Sequence, residues 1–152
     1  MPVQSTISPH TILLRGMYTK THRNAKADAA LKPGHIITKN ATDEVLKHAT
    51  AGAGGQIMVA MEDRLIGRTI NDAYAEAESV PYHIPTTGDW LYLRVAAAAS
   101  AIVHNAPLTS DGAGCVKLAT GDDIIIARAL EALDNSAGGS EAFLRTEWAE
   151  QP

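Results

Sequence analysis

The chain has 152 residues and a net charge of −4, with 45% hydrophobic residues and only 5% aromatic residues. A chain of this length buries a core of its own as one domain, and a single cysteine, Cys115, excludes an internal disulfide framework. Its uninterrupted apolar runs, such as residues 95–99, fall short of the roughly 18 residues that span a bilayer, so we expect no membrane partner and synthesis in the cytoplasm.

Charge is distributed unevenly along the chain. Residues 1–32 carry five basic side chains and one acidic side chain, whereas residues 33–152 carry eight basic and sixteen acidic ones. This asymmetry predicts a basic N-terminal arm, residues 1–32, on an acidic body, residues 33–152. The basic residues are not interleaved with aromatic ones, which makes a poor nucleic-acid footprint. We therefore expect no nucleic-acid partner.

The arm begins with polar residues and then contains one apolar stretch, Ile12-Leu13-Leu14. Residues 23–31 have the composition of a short helix of about two turns, which is marginal in isolation. We expect the arm to become ordered against another molecule. The Pro33-Gly34 turn signal then opens the body.

The first half of the body contains short elements separated by turn signals. Residues 35–38 predict a strand, residues 42–48 a helical turn or a loop, and residues 51–55 a glycine-rich connection. Residues 56–61 form an apolar run of strand length, with which residues 64–70 are expected to pair. Residues 71–79 stay ambiguous between helix and strand and are expected to end at Pro81.

The second half predicts hairpins. Residues 90–95 alternate between apolar and polar and form the clearest predicted strand, while the alanine-rich residues 96–101 are undecided. Residues 124–133 are rich in helix formers, so propensity alone predicts a helix there. The turn signals between Trp90 and Trp148 favour a mainly β fold with a small barrel or sandwich and one or two short helices. The aromatic residues expected as core or subunit-interface anchors are Trp90, Tyr92, Phe143 and Trp148.

Motifs that carry chemistry are missing from the sequence. The six histidines show no metal-ligand spacing, and Gly52-Ala53-Gly54-Gly55 is not followed by the Gly-Lys-Ser/Thr of a phosphate loop. Asp122 and Asp123 are typical of a solvated turn, and Cys115 of inert packing. We therefore predict a protein that is not an enzyme and that uses no cofactor and no metal.

Several segments of the second half resemble a recurring pattern of tailed-bacteriophage head decoration (capsid cement) proteins. The pattern consists of a strand that starts with a small residue and Pro-Leu-Thr, a glycine turn, a returning strand, a strand rich in alanine and leucine, a Gly/Ser loop and a closing strand. Here it corresponds to residues 105–109, 114–119, 126–132, 138–140 and 142–148. Ala106 replaces a usual glycine, and the region between Ile70 and Gly88 has no counterpart in the pattern.

The resemblance implies a β-barrel or β-tulip-like body in which residues 126–133 form a strand rather than a helix. It also implies a virion protein on the outer capsid surface, made in the host cytoplasm. Its partners are the major capsid protein and copies of itself, a homotrimer being favoured over a dimer. Under this hypothesis the capsid contacts are the apolar Ile12, Leu13 and Leu14 and the basic Arg15, Lys20, Arg23 and Lys26. The alternatives are a tail-tube or head–tail connector protein and a small ligand-binding barrel.

Overall fold

The computed structural model describes residues 9–16 and 21–149. These residues form β-strands and one short 3-10 helix, Arg64–Ile66. The strands, in chain order, are β1 (Leu13–Arg15), β2 (Thr21–Lys26), β3 (Ile36–Lys39), β4 (Val45–Lys47), β5 (Met58–Ala60), β6 (Ser79–His83), β7 (Trp90–Val95), β8 (Pro107–Ser110), β9 (Val116–Leu118), β10 (Ala127–Ala129) and β11 (Ala142–Trp148). The prediction of a mainly β fold is confirmed.

One sheet closes into a five-stranded barrel. Its order is β7-β11-β10-β8-β9, and a parallel pairing of Val95 with Val116 joins β9 back to β7. Strand β1 is an extra strand, which pairs with the beginning of β7 through Leu13 and Leu91. Residues 90–95 were predicted as a strand because apolar and polar residues alternate, and β7 has these bounds. Leu91 and Leu93 are fully buried, while Trp90 and Tyr92 are half-buried on the outer face.

The second sheet has the order β2-β6-β5-β3-β4. Its two edge strands approach each other at a parallel bridge between Ala27 and Val45. Successive residues of β3 point to opposite faces, so Ile36 packs into the core shared with the barrel and Ile37 into a separate core inside the second sheet. The two cores therefore meet across one layer of strands.

Residues 124–133 form no helix. Residues 127–129 are a strand, β10, which pairs with β8 on one side and β11 on the other, and Leu133 makes an isolated bridge with Ile102. The strand that the resemblance implies is present over part of this range, and the helix that propensity predicts is wrong. Burial of Ile126, Ala127 and Ala129 in the barrel core outweighs a helix preference of well under 1 kcal/mol per residue.

Three other local predictions are wrong. Residues 23–31 do not form a helix, because residues 21–26 pair with β6 as strand β2. Residues 42–48 contain strand β4, which forms a hairpin with β3. Residues 64–70 do not pair with β5; they start with the 3-10 helix, where the Asp63 side chain accepts a hydrogen bond from the Leu65 N–H and Gly67 ends the turn with a left-handed backbone.

In the part of the chain that the structure describes, no helix has the length and hydropathy that a membrane crossing requires.

Candidate functional site

The predicted apolar contact residues are divided between core and surface. Ile12 and Leu13 are 0% and 1% exposed and belong to the core shared by the barrel and the second sheet. Leu14 points outward and is 38% exposed. The reason is the alternation of β1, which directs Leu13 towards Leu91 and leaves Leu14 on the opposite face. Of the three, only Leu14 therefore offers its side chain to a partner.

The predicted basic contact residues lie along the same N-terminal region. Arg15 is exposed, and its guanidinium carbon lies 5.4 Å from the centre of the Trp90 ring, a cation–π distance. Lys26 is exposed at the end of β2, Arg23 lies within β2, and Lys20 lies outside the described residues. Arg15 and Lys26 are thus the two predicted basic residues that the structure places at the surface.

A buried carboxylate fastens the N-terminal segment to the body. The Ile12 N–H donates to Glu62 Oε2 at 3.2 Å, and Arg64 Nε donates to Glu62 Oε1 at 3.1 Å. Arg64 also donates from a terminal nitrogen to the His10 carbonyl at 3.0 Å. Within the predicted arm, residues 1–32, strands β1 and β2 pair with β7 and β6 of the body.

The four predicted aromatic anchors occupy two environments. Trp148 is 2% exposed and fills the barrel core. Trp90, Tyr92 and Phe143 are half-buried on the outer face, where Trp90 Nε1 donates to Glu147 at 2.9 Å and Tyr92 meets Phe143 edge-on with ring centres 6.2 Å apart. Trp148 is a core anchor, and the other three cover the outside of the barrel.

A buried polar assembly lies at the junction between the barrel and the second sheet. Arg94 of β7 is 5% exposed and donates to the Pro33 carbonyl at 2.6 Å and to the Ile70 carbonyl at 2.8 Å. It also donates to Glu141 Oε2 at 3.2 Å and stacks on the Phe143 ring at 4.4 Å. We call Arg94, Glu141, His35 and Cys115 the junction cluster. The Arg94 guanidinium donates hydrogen bonds to the Pro33 and Ile70 carbonyls, which burial would otherwise leave unpaired.

Two hydrogen bonds determine the protonation of His35, which is 1% exposed. Its Nδ1 accepts from the Lys32 N–H at 3.0 Å, so the ring proton must lie on Nε2. Nε2 then donates to Glu141 Oε1 at 3.1 Å. Burial lowers the pKa of His35 to about 4, although the hydrogen bond with Glu141 opposes this shift. The imidazole is therefore neutral at pH 7.

Glu141 stays ionised and Cys115 stays protonated. Burial by itself favours the neutral form of Glu141, but the His35 hydrogen bond and the positive charges of Arg94 and Lys32 lower its pKa overall. Burial and the nearby Asp111 and Glu141 carboxylates raise the pKa of the Cys115 thiol to about 12. A protonated, buried thiol is a poor nucleophile, in keeping with the inert packing predicted for it.

The junction cluster brings together residue types that bind metals. One ligand atom each of His35, Cys115 and Glu141 lies within 4.8 Å of the other two. Two features oppose a cation there. If Nε2 bound a metal, the ring proton would have to move to Nδ1, but Nδ1 accepts the Lys32 N–H. In addition, the positive charges of Arg94, Lys32 and Lys47 act on the cluster. The cluster is built as a hydrogen-bonded ion pair.

A second pair of residues has the composition of a nucleophile and its base. His48 Nδ1 lies 2.8 Å from Ser110 Oγ, and burial lowers the pKa of His48. Ser110 is 0% exposed, and its Oγ also accepts the Gly112 N–H at 3.1 Å. Because no substrate can reach this hydroxyl, the pair serves to fasten β4 to the hairpin between β8 and β9.

A third buried pair organises the turn before β7. His83 is 0% exposed, and its Nε2 lies 2.9 Å from Asp89 Oδ2. The same carboxylate oxygen accepts the Thr86 N–H at 2.9 Å. Asp123, predicted in a solvated turn, similarly accepts the Thr120 N–H and lies 3.9 Å from Lys117 Nζ. In both places the carboxylate stabilises a turn.

Sequence reasoning did not identify the His35–Glu141, Arg94–Glu141 or His48–Ser110 pairs, because their members are far apart in the chain. His35, Arg94 and Glu141 come from three segments, and only the pairing of strands brings them together. One signal was available: Arg94 is the one charged residue of β7, between Leu93 and Val95. A charge in that position requires partners when the strand is covered on both faces.

The protonation state of His35 predicts a pH dependence of stability. The ordinary pKa of 6.5 applies to the unfolded chain and the value of about 4 to the folded chain, so the unfolded state binds more protons between these limits. The free energy of unfolding should fall as the pH drops from about 6.5 to about 4, by up to roughly 3 kcal/mol. Urea unfolding at pH 7 and pH 4.5 measures this loss.

The matched variant is His35→Gln, whose amide can accept from the Lys32 N–H and donate to Glu141 without titrating. It should lose less stability than the wild type over the same pH range. Equal losses in the two proteins would show that His35 does not titrate as its surroundings require. Protonation of Glu141 adds a loss only below its ordinary pKa of 4.5, since its folded pKa is lowered.

Comparison with known proteins adds no assignment: no protein-family model matches the chain, and no curated protein matches it. The basis for a function is therefore the geometry described above, together with the resemblance of residues 105–148 to capsid decoration proteins.

Proposed function

We propose that this chain is a structural virion protein that binds the outer surface of a phage capsid as an oligomer and cements neighbouring capsomers. The observation that carries the proposal is the position of the segments that resemble decoration proteins. Residues 107–110, 116–118, 127–129 and 142–148 form β8, β9, β10 and β11, which are four of the five barrel strands. The strongest support is β10, where the pattern implies a strand against the helix propensity of the residues.

The surface offers groups suited to adhesion. Leu65 and Ile66, on the 3-10 helix, are 79% and 67% exposed and offer two adjacent aliphatic side chains to a partner. Arg15 and Lys26 add positive charge in the N-terminal region of an otherwise acidic chain. Charges at the rim of an interface contribute to the association rate and to partner choice.

An oligomer, a trimer rather than a dimer in this proposal, explains how modest contacts hold capsomers together. Each subunit binds weakly, but once one subunit of the oligomer is bound, the others are held near their own sites at a high effective concentration. The overall affinity then exceeds that of one contact by orders of magnitude. No catalytic step is required.

The test uses heads purified from a deletion mutant, made in the phage that encodes this protein, from which the gene has been removed. Wild-type protein should sediment with these heads. The proposal places Arg15 and Lys26 against an acidic part of the capsid surface. Charge reversal of both residues to glutamate should then weaken binding at least about tenfold at low salt, because like charges at the rim repel. Lys117→Glu is the matched control, since Lys117 is a 41%-exposed lysine on β9. We expect the control to bind as the wild type does.

Two outcomes would contradict the proposal. Wild-type protein that fails to sediment with the heads removes the capsid surface as a partner. Stacked rings of the purified protein would instead favour a tail-tube protein. Equal binding by the charge-reversed variant and the wild type would leave capsid binding in place but would remove Arg15 and Lys26 as contacts.

A further inference from the structure

A small cavity of about 150 Å³ lies beside the junction cluster. Its polar lining consists of His35, Glu141 and the side chains of Lys32 and Lys47, and short apolar residues complete the wall. It borders the loop before β3, strand β4 and the residue before β11. Both sheets therefore contribute to one pocket.

The two lysines in this pocket have no ion pair within residues 9–16 and 21–149. Both acids at the cluster have other partners: Glu141 accepts from Arg94 and His35, and Asp111 accepts from the backbone N–H of Ala113 and of Cys115. The lysine charges nevertheless act on the cluster, Lys47 on His35 and Lys32 on Glu141. Counting Arg94, three positive charges face the two negative charges of Glu141 and Asp111, because His35 is neutral.

The position of Lys47 is fixed by packing. Its aliphatic stem lies against Gly114, where an added Cβ would approach Lys47 Cγ to 2.9 Å. Gly114 has a φ of +90°, so the hairpin before β9 uses the backbone freedom and the small size of glycine to admit this side chain. A lysine held in this way loses less side-chain entropy when it binds a ligand than a free surface lysine does.

We propose that the cavity between Lys32 and Lys47 binds a single oxyanion group, a carboxylate or a phosphate. The excess of positive charge attracts an anion and repels a cation. This repulsion is consistent with His35, Cys115 and Glu141 forming hydrogen bonds with protein groups instead of binding a metal ion. Two ammonium groups supply charge-assisted hydrogen bonds to the oxygens of the anion. The size of the cavity limits the ligand to one such group, either free or at the end of a side chain.

Titration of the full chain with inorganic phosphate and, separately, with acetate at constant ionic strength tests this site. Chemical shifts of backbone amides report the binding. We expect saturable shifts centred on Lys32, Gly34, His35 and Lys47, with a single affinity. Lys47→Gln should weaken binding about tenfold, since one charge-assisted hydrogen bond is lost. The anion with the higher affinity identifies the class of ligand.

Lys39→Gln is the matched control, because Lys39 lies on the neighbouring strand β3 and pairs with Asp43 at 2.7 Å. This variant should bind the anion as the wild type does. Shifts that do not saturate, or equal weakening by Lys47→Gln and Lys39→Gln, would overturn the site and would indicate only general charge screening. Binding of Zn²⁺ that is lost in Cys115→Ser would also overturn it, because the cluster would then attract cations.

Discussion

Replacing Arg94 with leucine is expected to lower the free energy of unfolding by about 3–5 kcal/mol, a large share of the roughly 5–15 kcal/mol of a typical domain. The variant leaves the carbonyls of Pro33 and Ile70 without their donor and leaves the Glu141 carboxylate without its cation. Each buried polar group that loses its partner costs about 1–3 kcal/mol. Chemical denaturation at pH 7 measures the loss.

Arg94→Lys is the informative companion variant. Lysine keeps the charge, but it has a single nitrogen in place of the three with which Arg94 reaches Pro33, Ile70 and Glu141. It should therefore recover only part of the lost stability. Full recovery would show that charge alone matters, and an Arg94→Leu protein as stable as the wild type would remove the junction cluster as a structural element.

Truncating Leu13 to alanine is expected to cost about 2–5 kcal/mol, whereas truncating its neighbour Leu14 should cost no more than about 0.5 kcal/mol. Leu13 is 1% exposed in the shared core, and Leu14 is 38% exposed on the other face of β1. Since the two residues are adjacent and identical in type, the comparison isolates burial. Thermal and urea unfolding of the two variants measure the difference.

This pair also tests whether the N-terminal segment belongs to the body. If residues 9–16 pack as described, Leu13→Ala destabilises the whole protein in one cooperative transition. Similar small effects of Leu13→Ala and Leu14→Ala would contradict this packing and would restore the interpretation of a separate arm. Capsid binding is expected to respond in the opposite order, because only Leu14 of the two is exposed to a partner.

Where period-two alternation coincided with burial, the sequence predicted the strands correctly. Residues 90–95 alternate because one face of β7 fills the barrel core, and the pattern alone located this strand. Strand β3 lies within one residue of its predicted position for a related reason, since the Pro33-Gly34 turn marks its start. Local signals suffice where a strand begins at a strong turn or has one buried face.

Strands that depend on distant pairing were missed. Pro81 was read as the end of an element, but it lies within β6, where two residues of β2 lie opposite it between the pairs His22–Tyr82 and Ala25–Val80. Such a bulge interrupts the hydrogen-bond ladder at Pro81, where proline has no N–H to donate. Strand β2 was missed for the same reason, because its composition favours a helix and only the pairing with β6 makes it extended.

The candidate site was beyond sequence reasoning for a different reason. No spacing relates His35, Arg94 and Glu141, because they lie in three distant segments that the junction of the barrel and the second sheet brings together. The surface contacts were predicted from charge and hydropathy, which do not say which side of a strand faces the core. Leu13 was therefore included with Leu14, although β1 places these two neighbours on opposite faces. Ile12, which comes before β1, is also buried in the shared core.

The central claim is that this protein acts by adhesion to the outside of a capsid, and imaging of heads tests it most directly. Heads from a wild-type phage and from one lacking the gene are reconstructed by electron cryomicroscopy and compared. The proposal predicts additional density on the outer surface of the wild-type heads, bridging neighbouring capsomers at symmetric positions, with a shape that fits this barrel. Identical outer surfaces, or density confined to the tail tube or connector, would contradict it.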